Sequence, residues 1–272
     1  MASNLLDTTV EDILHDVFDA GGAEFVVVNP SEDTIEQLVE VSTAYDDELP
    51  SIRMLAQERT LKDVMDDFIV ASNAADLIDE GVLTMRATEE TPENSLLITD
   101  DRVIALVTAG ETVAGLTTDD AEFVGTAVEA YDREWDDASE FNLRTPPLTR
   151  VRQTLGEDIS PEAEDAFDAV LASLDTARGD GDGLDEVTIS LLVAAKNEEL
   201  LYDISKWGED VGIASKATFS RTKTRLEDMG IIDTEKVPID VGRPRLRLKL
   251  GRDELKEADA DQLAGVATSI LH

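Results

Sequence analysis

Residues 213–250 read IASKATFSRTKTRLEDMGIIDTEKVPIDVGRPRLRLKL, and the periodicity of this stretch changes halfway along. Ser215 is a good N-cap residue, and a helix from it runs to Met229, where Gly230 suits the left-handed position just past a helix end. At about 100° per residue, Phe219, Thr222, Leu226 and Met229 share one face, which must point inward. Ser220, Arg221 and Thr224 lie opposite, flanked by Lys216 and Arg225. After Gly230 the period becomes two. Leu246, Leu248 and Leu250 point one way and Arg245, Arg247 and Lys249 the other, with Gly242 and Arg243 at the turn.

A helix with hydroxyls and guanidiniums on its outer face can bond phosphates and base edges in a major groove. The hairpin behind it, leucine on one side and cation on the other, has the form of a wing. Charge distribution favours the same reading. Residues 214–252 hold ten Lys/Arg against five Asp/Glu, whereas the rest of the chain holds 13 against 56. A single cationic island in so acidic a chain fits nucleic acid as its partner. The expected contacts with double-stranded DNA are Ser215, Lys216, Ser220, Arg221, Thr224 and Arg225 from the helix. From the hairpin they are Arg243, Arg245, Arg247 and Lys249.

With 272 residues the chain is long enough for two domains, each with its own core. No run approaches the ~18 consecutive apolar residues of a membrane span, and no basic, apolar signal segment opens the chain; a soluble, cytoplasmic protein is expected. There is no cysteine, hence no disulfide, thiolate metal site or cysteine nucleophile. The two histidines cannot build a histidine-rich metal site, and no metal or cofactor is expected. The net charge of −38 comes with eight lysines and 15 arginines. Abundant surface carboxylate with little lysine suits molar salt, where screening removes self-repulsion, and points to a halophilic cytosol.

In chain order, an amphipathic helix is expected over residues 1–20, ended by Gly21-Gly22, and then a buried parallel strand at 24–29. Asp33 and Glu36 suggest a capping box for a helix over 34–45. A strand at 51–55 and a long helix over 60–80 follow. Strands at 82–87, 96–99, 103–108 and 112–116 come next, then a helix from Asp119 to about Trp135. Residues 1–141 thus form an α/β domain with a mixed sheet, regulatory or dimerising. Residues 142–183 read as linker and helix. Within them, 141–159 has no clean period, Ser160-Pro161 starts a helix, and GDGDG at 179–183 is a connection whose spacing does not fit a calcium loop. Residues 184–252 form a winged helix-turn-helix DNA-binding domain, and 253–272 a C-terminal helix.

In the first domain the loops after the two early strands draw attention. Ligands of open α/β sheets bind beyond such strand ends, and helix N-termini favour anions. Asn29, Ser31, Gln57, Arg59 and Thr60 are the candidate ligand residues, for a small anionic metabolite such as a sugar phosphate. No catalytic residue is assigned: carboxylate pairs are everywhere in this composition, and His15 sits on a helix flank.

The segment 187–250 resembles a winged helix-turn-helix, and GIASKATFSRTKTRLEDMGII matches its turn, recognition helix and lead into the wing. The whole chain resembles the haloarchaeal TbsP-type regulators, linked by name and role to the TrmB sugar-responsive regulators. The resemblance implies a sequence-specific transcription regulator of central carbon metabolism, glycolytic or gluconeogenic. One winged helix makes a small interface, so a homodimer is expected, with the apolar stripes of the helices over 160–177 and 253–272 offered for pairing across a two-fold axis. A second resemblance lies in PENSLLITDDRVIALV, which is similar to the hairpin of phospholipase-D-like domains. Their active form needs His-x-Lys-x4-Asp. Aligning Asp100 with the motif aspartate puts Glu93 and Ser95 where the histidine and lysine belong, so the resemblance implies a degenerate, non-enzymatic fold. Two other readings stand beside the regulator: a winged helix used for protein contacts in the transcription apparatus, and a phosphoester hydrolase.

Overall fold

The structure, a computed structural model, describes residues 5–89, 92–110, 112–178, 184–238 and 244–271. It divides into two compact units, Met1–Asp66 with Asn73–Leu143, and Asp67–Ser72 with Arg144–His272.

The first unit contains β1 (Leu5–Thr8), α1 (Val10–Ala20), β2 (Glu24–Val28), α2 (Glu32–Ala44), β3 (Ser51–Gln57) and α3 (Glu58–Met65). It continues with α4 (Phe68–Asp79), whose opening residues count with the second unit, then β4 (Leu83–Thr88), β5 (Leu96–Thr99), β6 (Val103–Ala109), β7 (Thr112–Thr118), α5 (Ala121–Asp137) and β8 (Ser139–Glu140). The strands make one mixed sheet in the order β1-β7-β6-β5-β2-β3-β4-β8. β2, β3 and β4 are parallel, and the other pairings are antiparallel.

Helices cover both faces of the parallel part, which is why β2 reads as a continuous apolar run. Phe25 meets Phe18 of α1 edge to face, while Val26 and Val28 pack with Val124 of α5. On the α5 side, Trp135 lies between two guanidiniums, Arg53 at 5.3 Å and Arg86 at 4.9 Å from the ring centroid. Arg53 also pairs with Glu24 at 2.6 Å and Asp132 at 2.9 Å. Two cations of a cation-poor domain are thereby committed to holding the end of α5.

Several boundaries differ from those expected. Residues 5–8 form an edge strand paired with β7, where helix was expected throughout. The α2 cap is Ser31, which accepts from the Thr34 amide, so the helix starts before Asp33. Asp66-Asp67 divides the long helix into α3 and α4: the Asp67 carboxylate accepts from the Ile69 and Val70 amides and starts a new helix there.

The second unit holds α6 (Leu148–Asp158), α7 (Pro161–Ala172), α8 (Glu186–Lys196), α9 (Leu201–Val211), α10 (Lys216–Asp228), β9 (Ile232–Val237), β10 (Arg245–Leu250), α11 (Asp253–Glu257) and α12 (Ala260–Leu271). The expected linker over 141–159 contains α6. Its Leu148, Val151 and Leu155, at helical spacing, are buried, and the polar Thr149-Arg150 and Gln153-Thr154 between them hid the period. The 179–183 connection lies outside the described residues. The single tail helix is instead two, α11 and α12, separated at Ala258-Asp259. α8 is the central helix, buried on every side from Val187 to Ala195. A helix apolar all round is one that others enclose. Asp67 is buried in this unit with its partners: the Thr176 hydroxyl, the Ala177 amide at 3.2 Å and Arg178 Nε at 3.4 Å.

α9 and α10 approach so closely that a Cβ at Gly208 would stand 2.4 Å from the Phe219 ring. That ring is fully buried and fixes the angle at which α10 leaves the domain. Gly208→Ala should therefore cost about 1–3 kcal/mol by overpacking. Gly265→Ala, in open space on α12, should stabilise by about 0.4–1 kcal/mol. Denaturation midpoints of the two variants in the same salt check this; similar shifts for both would show that the ring does not depend on Gly208.

Candidate nucleic-acid interface

α10 is built as its sequence requires. Ser215 is extended at φ −67° and ψ 152°, and its hydroxyl accepts from the Thr218 amide. At the other end Gly230 has φ 71°, a region closed to most side chains. The Ile231 amide reaches Leu226 O at 2.9 Å and the Gly230 amide reaches Glu227 O at 2.9 Å, the paired bonds of a Schellman ending. Phe219, Thr222 and Leu226 are buried as the period demands.

The outer face carries Ser220, Arg221, Thr224 and Arg225, all exposed. Arg221 reaches the Thr218 hydroxyl at 3.4 Å and Arg225 the Thr188 hydroxyl at 3.2 Å. Neither bond neutralises a charge, so both guanidiniums keep their capacity for phosphate or guanine. Ala217, also exposed, lies on the same face one turn before Arg221. Its missing bulk lets a base edge come close; the sequence reading passed it over because it carries no polar group.

Lys216 is placed differently. Its ammonium lies 2.5 Å from Glu209 on α9, and its amide donates to the same carboxylate at 3.3 Å. The hydrogen bonds from the Lys216 ammonium and then from its amide hold the Glu209 carboxyl below its ordinary range. A carboxylate thus sits at the start of α10, where a helix N-terminus favours an anion.

The hairpin cations are mostly engaged. β9 and β10 pair antiparallel from Leu250↔Ile232 to Arg245↔Val237. The far edge of β10 is covered by the turn after α8, through a Leu200↔Arg247 bridge and a bond from the Leu248 amide to Glu199 O. Leu248 and Leu250 are buried, whereas Arg245 pairs with Asp203 at 3.0 Å and stacks 4.1 Å from the Tyr202 ring centroid. Lys249 pairs with Glu235 at 2.8 Å, and Arg247 stands across from Glu235 in the ladder. Arg245 ties the hairpin to α9, and Lys249 ties its two strands to each other. Arg243 lies outside the described residues.

In the first unit the five candidate ligand residues do gather at one end of the sheet, since β2 and β3 are parallel neighbours. The side chains of Asn29, Ser31 and Arg59 make contacts within the chain. Asn29, at φ 46°, donates to Pro92 O at 3.0 Å, and Ser31 caps α2. Gln57 closes β3, while Arg59 and Thr60 lie in the first turn of α3. The Arg59 side chain is 90% exposed and pairs with Asp63 at 3.3 Å on its own helix. Asp100, at the phospholipase-D-like motif position, accepts from the Ala23 amide at 3.3 Å.

The second unit is a helix-turn-helix with a β-hairpin wing, joined to a mixed α/β domain. Family models for the transcriptional regulator TbsP-like N-terminal domain and the TbsP-like C-terminal HTH domain match residues 2–146 and 147–268, and the chain belongs to this family. No curated protein matches it. Among solved structures it is similar to TrmBL2, an archaeal chromatin protein with a novel mode of DNA binding. Identity there is 16% over 52% of this chain, with a TM-score of 0.35, and the chain covers 54% of that protein's length. It is also similar to Nuc, a phospholipase D family member from Salmonella typhimurium, at 9% identity over 52% of this chain and 97% of that one, TM-score 0.36. NucT from Helicobacter pylori shows 12% identity over 51% and 98%, TM-score 0.30. Among the described residues no helix is long and apolar enough to cross a membrane.

One carboxylate joins α10 to the wing. Burial pushes Glu227 up, but hydrogen bonds from Lys223 and Thr234, both at 2.6 Å, outweigh it and hold the carboxyl below its ordinary value of 4.5. A depressed folded value adds stability that is present above 4.5 and lost as pH falls through the lower folded value. Glu227→Gln should therefore flatten the loss of stability between about pH 6 and about pH 3 relative to wild type. Parallel pH profiles of the denaturation midpoint would contradict it.

Proposed function

We propose that this chain is a sequence-specific, DNA-binding transcription regulator, not an enzyme, that places α10 in a major groove. The observation that carries this is the outer face of α10. Ser220, Arg221, Thr224 and Arg225 stand exposed on one side of a helix whose other side is locked by Phe219 and Leu226. Arg221 and Thr224 are suited to base edges, and Arg225, Ser215 and Lys216 to backbone phosphates. Arg245 and Lys249, expected as DNA contacts, would reach phosphates by exchanging their partners Asp203 and Glu235.

The first unit acts as the regulatory or dimerising part. The phospholipase-D-like motif positions hold Glu93 and Ser95 where a nucleophile and a phosphate-binding cation would be needed, which supports a non-catalytic role. The acidic surface and low lysine content fit a halophilic host, and the family resemblance favours promoters of central carbon metabolism as targets. A small anionic effector would bind at the β2 and β3 strand ends, with affinity carried by helix N-termini more than by Arg59.

Operator fragments identified by genome-wide binding supply the test. Arg221→Ala should cost about 1–3 kcal/mol on the operator and much less on random DNA. Equal losses on both would assign Arg221 to phosphate alone. Failure of the wild type to bind DNA at any salt concentration would move the protein to the class of winged helices that bind other proteins.

The Lys216–Glu209 pair gives a separate measurement. A phosphate that takes Lys216 must release the carboxylate, which then collects a cation and cancels one released counterion. Glu209→Gln should raise affinity and make the log–log salt slope more negative by about 0.9. An unchanged slope would mean the pair stays closed in the complex.

A further inference from the structure

The helices whose apolar stripes the sequence offers for self-association are occupied within one chain: α7 and α12 pack on each other and on α8. A different apolar surface stands open in the first unit. The strands β5, β6 and β7 contain no charged residue, although residues 1–143 hold 35 Asp/Glu against six Lys/Arg.

Directly opposed residues of an antiparallel pair share a face. The register Ala105↔Leu116 and Val107↔Ala114 therefore puts these four apolar side chains together. They continue the face on which Val103 is buried under Val124 of α5, but α5 does not extend over them. Val107 and Leu116 are each 45% exposed, and Phe123 at the start of α5 is 54% exposed.

We propose that this uncharged β6–β7 face is where a second copy of the chain docks, about a two-fold axis. DNA or an acidic partner needs cations, and the face has none. A basic partner would find its match on the carboxylate-rich surfaces instead. A partner suited to an apolar, neutral patch must itself present one, and the copy's own β6–β7 face does so by symmetry. Two chains of net charge −38 also repel each other least where neither brings carboxylates. Screening in concentrated salt then removes the repulsion around the contact and leaves the apolar attraction in place.

The test is the mass of the full chain by sedimentation equilibrium in about 0.5–3 M potassium chloride, without DNA. The wild type should be a dimer at micromolar concentration. Val107→Glu/Leu116→Glu should raise the dimer dissociation constant by at least about tenfold, with an unchanged far-ultraviolet circular dichroism spectrum. Should the double variant lose helical signal, Leu116→Lys alone, at a half-exposed position, should weaken the dimer in the same way. A monomeric wild type, or folded variants that dimerise as tightly as wild type, overturns the proposal. The readout needs no DNA, so it stands or falls separately from the role of α10. Binding of the variant to a single half-site should match wild type.

Discussion

With 61 carboxylates against 23 lysines and arginines, the destination of each cation decides what remains for a ligand. The structure uses them first to hold itself together. Arg53 and Arg86 enclose Trp135, Arg245 lies on Tyr202 beside Asp203, and Lys249, Lys223 and Lys216 each face a glutamate. Exposed pairs of this kind contribute little energy each. Their greater effect is to remove cations from the surface that an anionic partner meets. On α10 the two guanidiniums bonded to hydroxyls, Arg221 and Arg225, are left facing outward. The count of lysines and arginines in this stretch therefore overstates the charge that α10 presents outward.

That difference marks where sequence reading succeeds and where it stops. The inward face of α10, its cap at Ser215, its stop at Gly230 and the leucine side of β10 all follow from local chemistry and periodicity, and each is present. The cation side of β10 is equally clear in the sequence, but the partners of its cations within the chain are not. Alternation shows that Arg245 and Lys249 share a face; it cannot show that Asp203 and Glu235 wait on that face. Partner choice is a tertiary fact. Glu209 was invisible for the same reason, since only the turn between α9 and α10 brings it to Lys216.

The same limit applies in the first unit. Arg59 drew attention because cations are rare there, yet rarity says nothing of direction, and an Asp four residues later on the same helix face takes the charge. Where elements were missed, the cause was short length or interruption. β1 and β8 are too brief for a period to register, and the α6 stripe of Leu148, Val151 and Leu155 is masked by the prolines before it and the polar residues within it. The parallel strands were legible because burial on both faces leaves an unbroken apolar run such as that of β2.

The same solvent that suits this acidic surface sets the balance between its two kinds of contact. Concentrated salt weakens phosphate contacts, because the release of counterions loses its entropic advantage. Apolar association does not weaken in this way, and screening removes the like-charge repulsion that opposes it. A regulator with few outward cations loses little from the first effect. One with an uncharged, exposed sheet face gains from the second. Pairing two copies also doubles the base-edge contacts available to an operator, which replaces in number what each phosphate contact loses in strength. If α10 reads DNA and β6–β7 pairs two copies, as proposed, the pairing of Lys216 and Lys223 with glutamates and the absence of charge on β6 and β7 are complementary: specificity would be read from base edges, and affinity recovered by assembly.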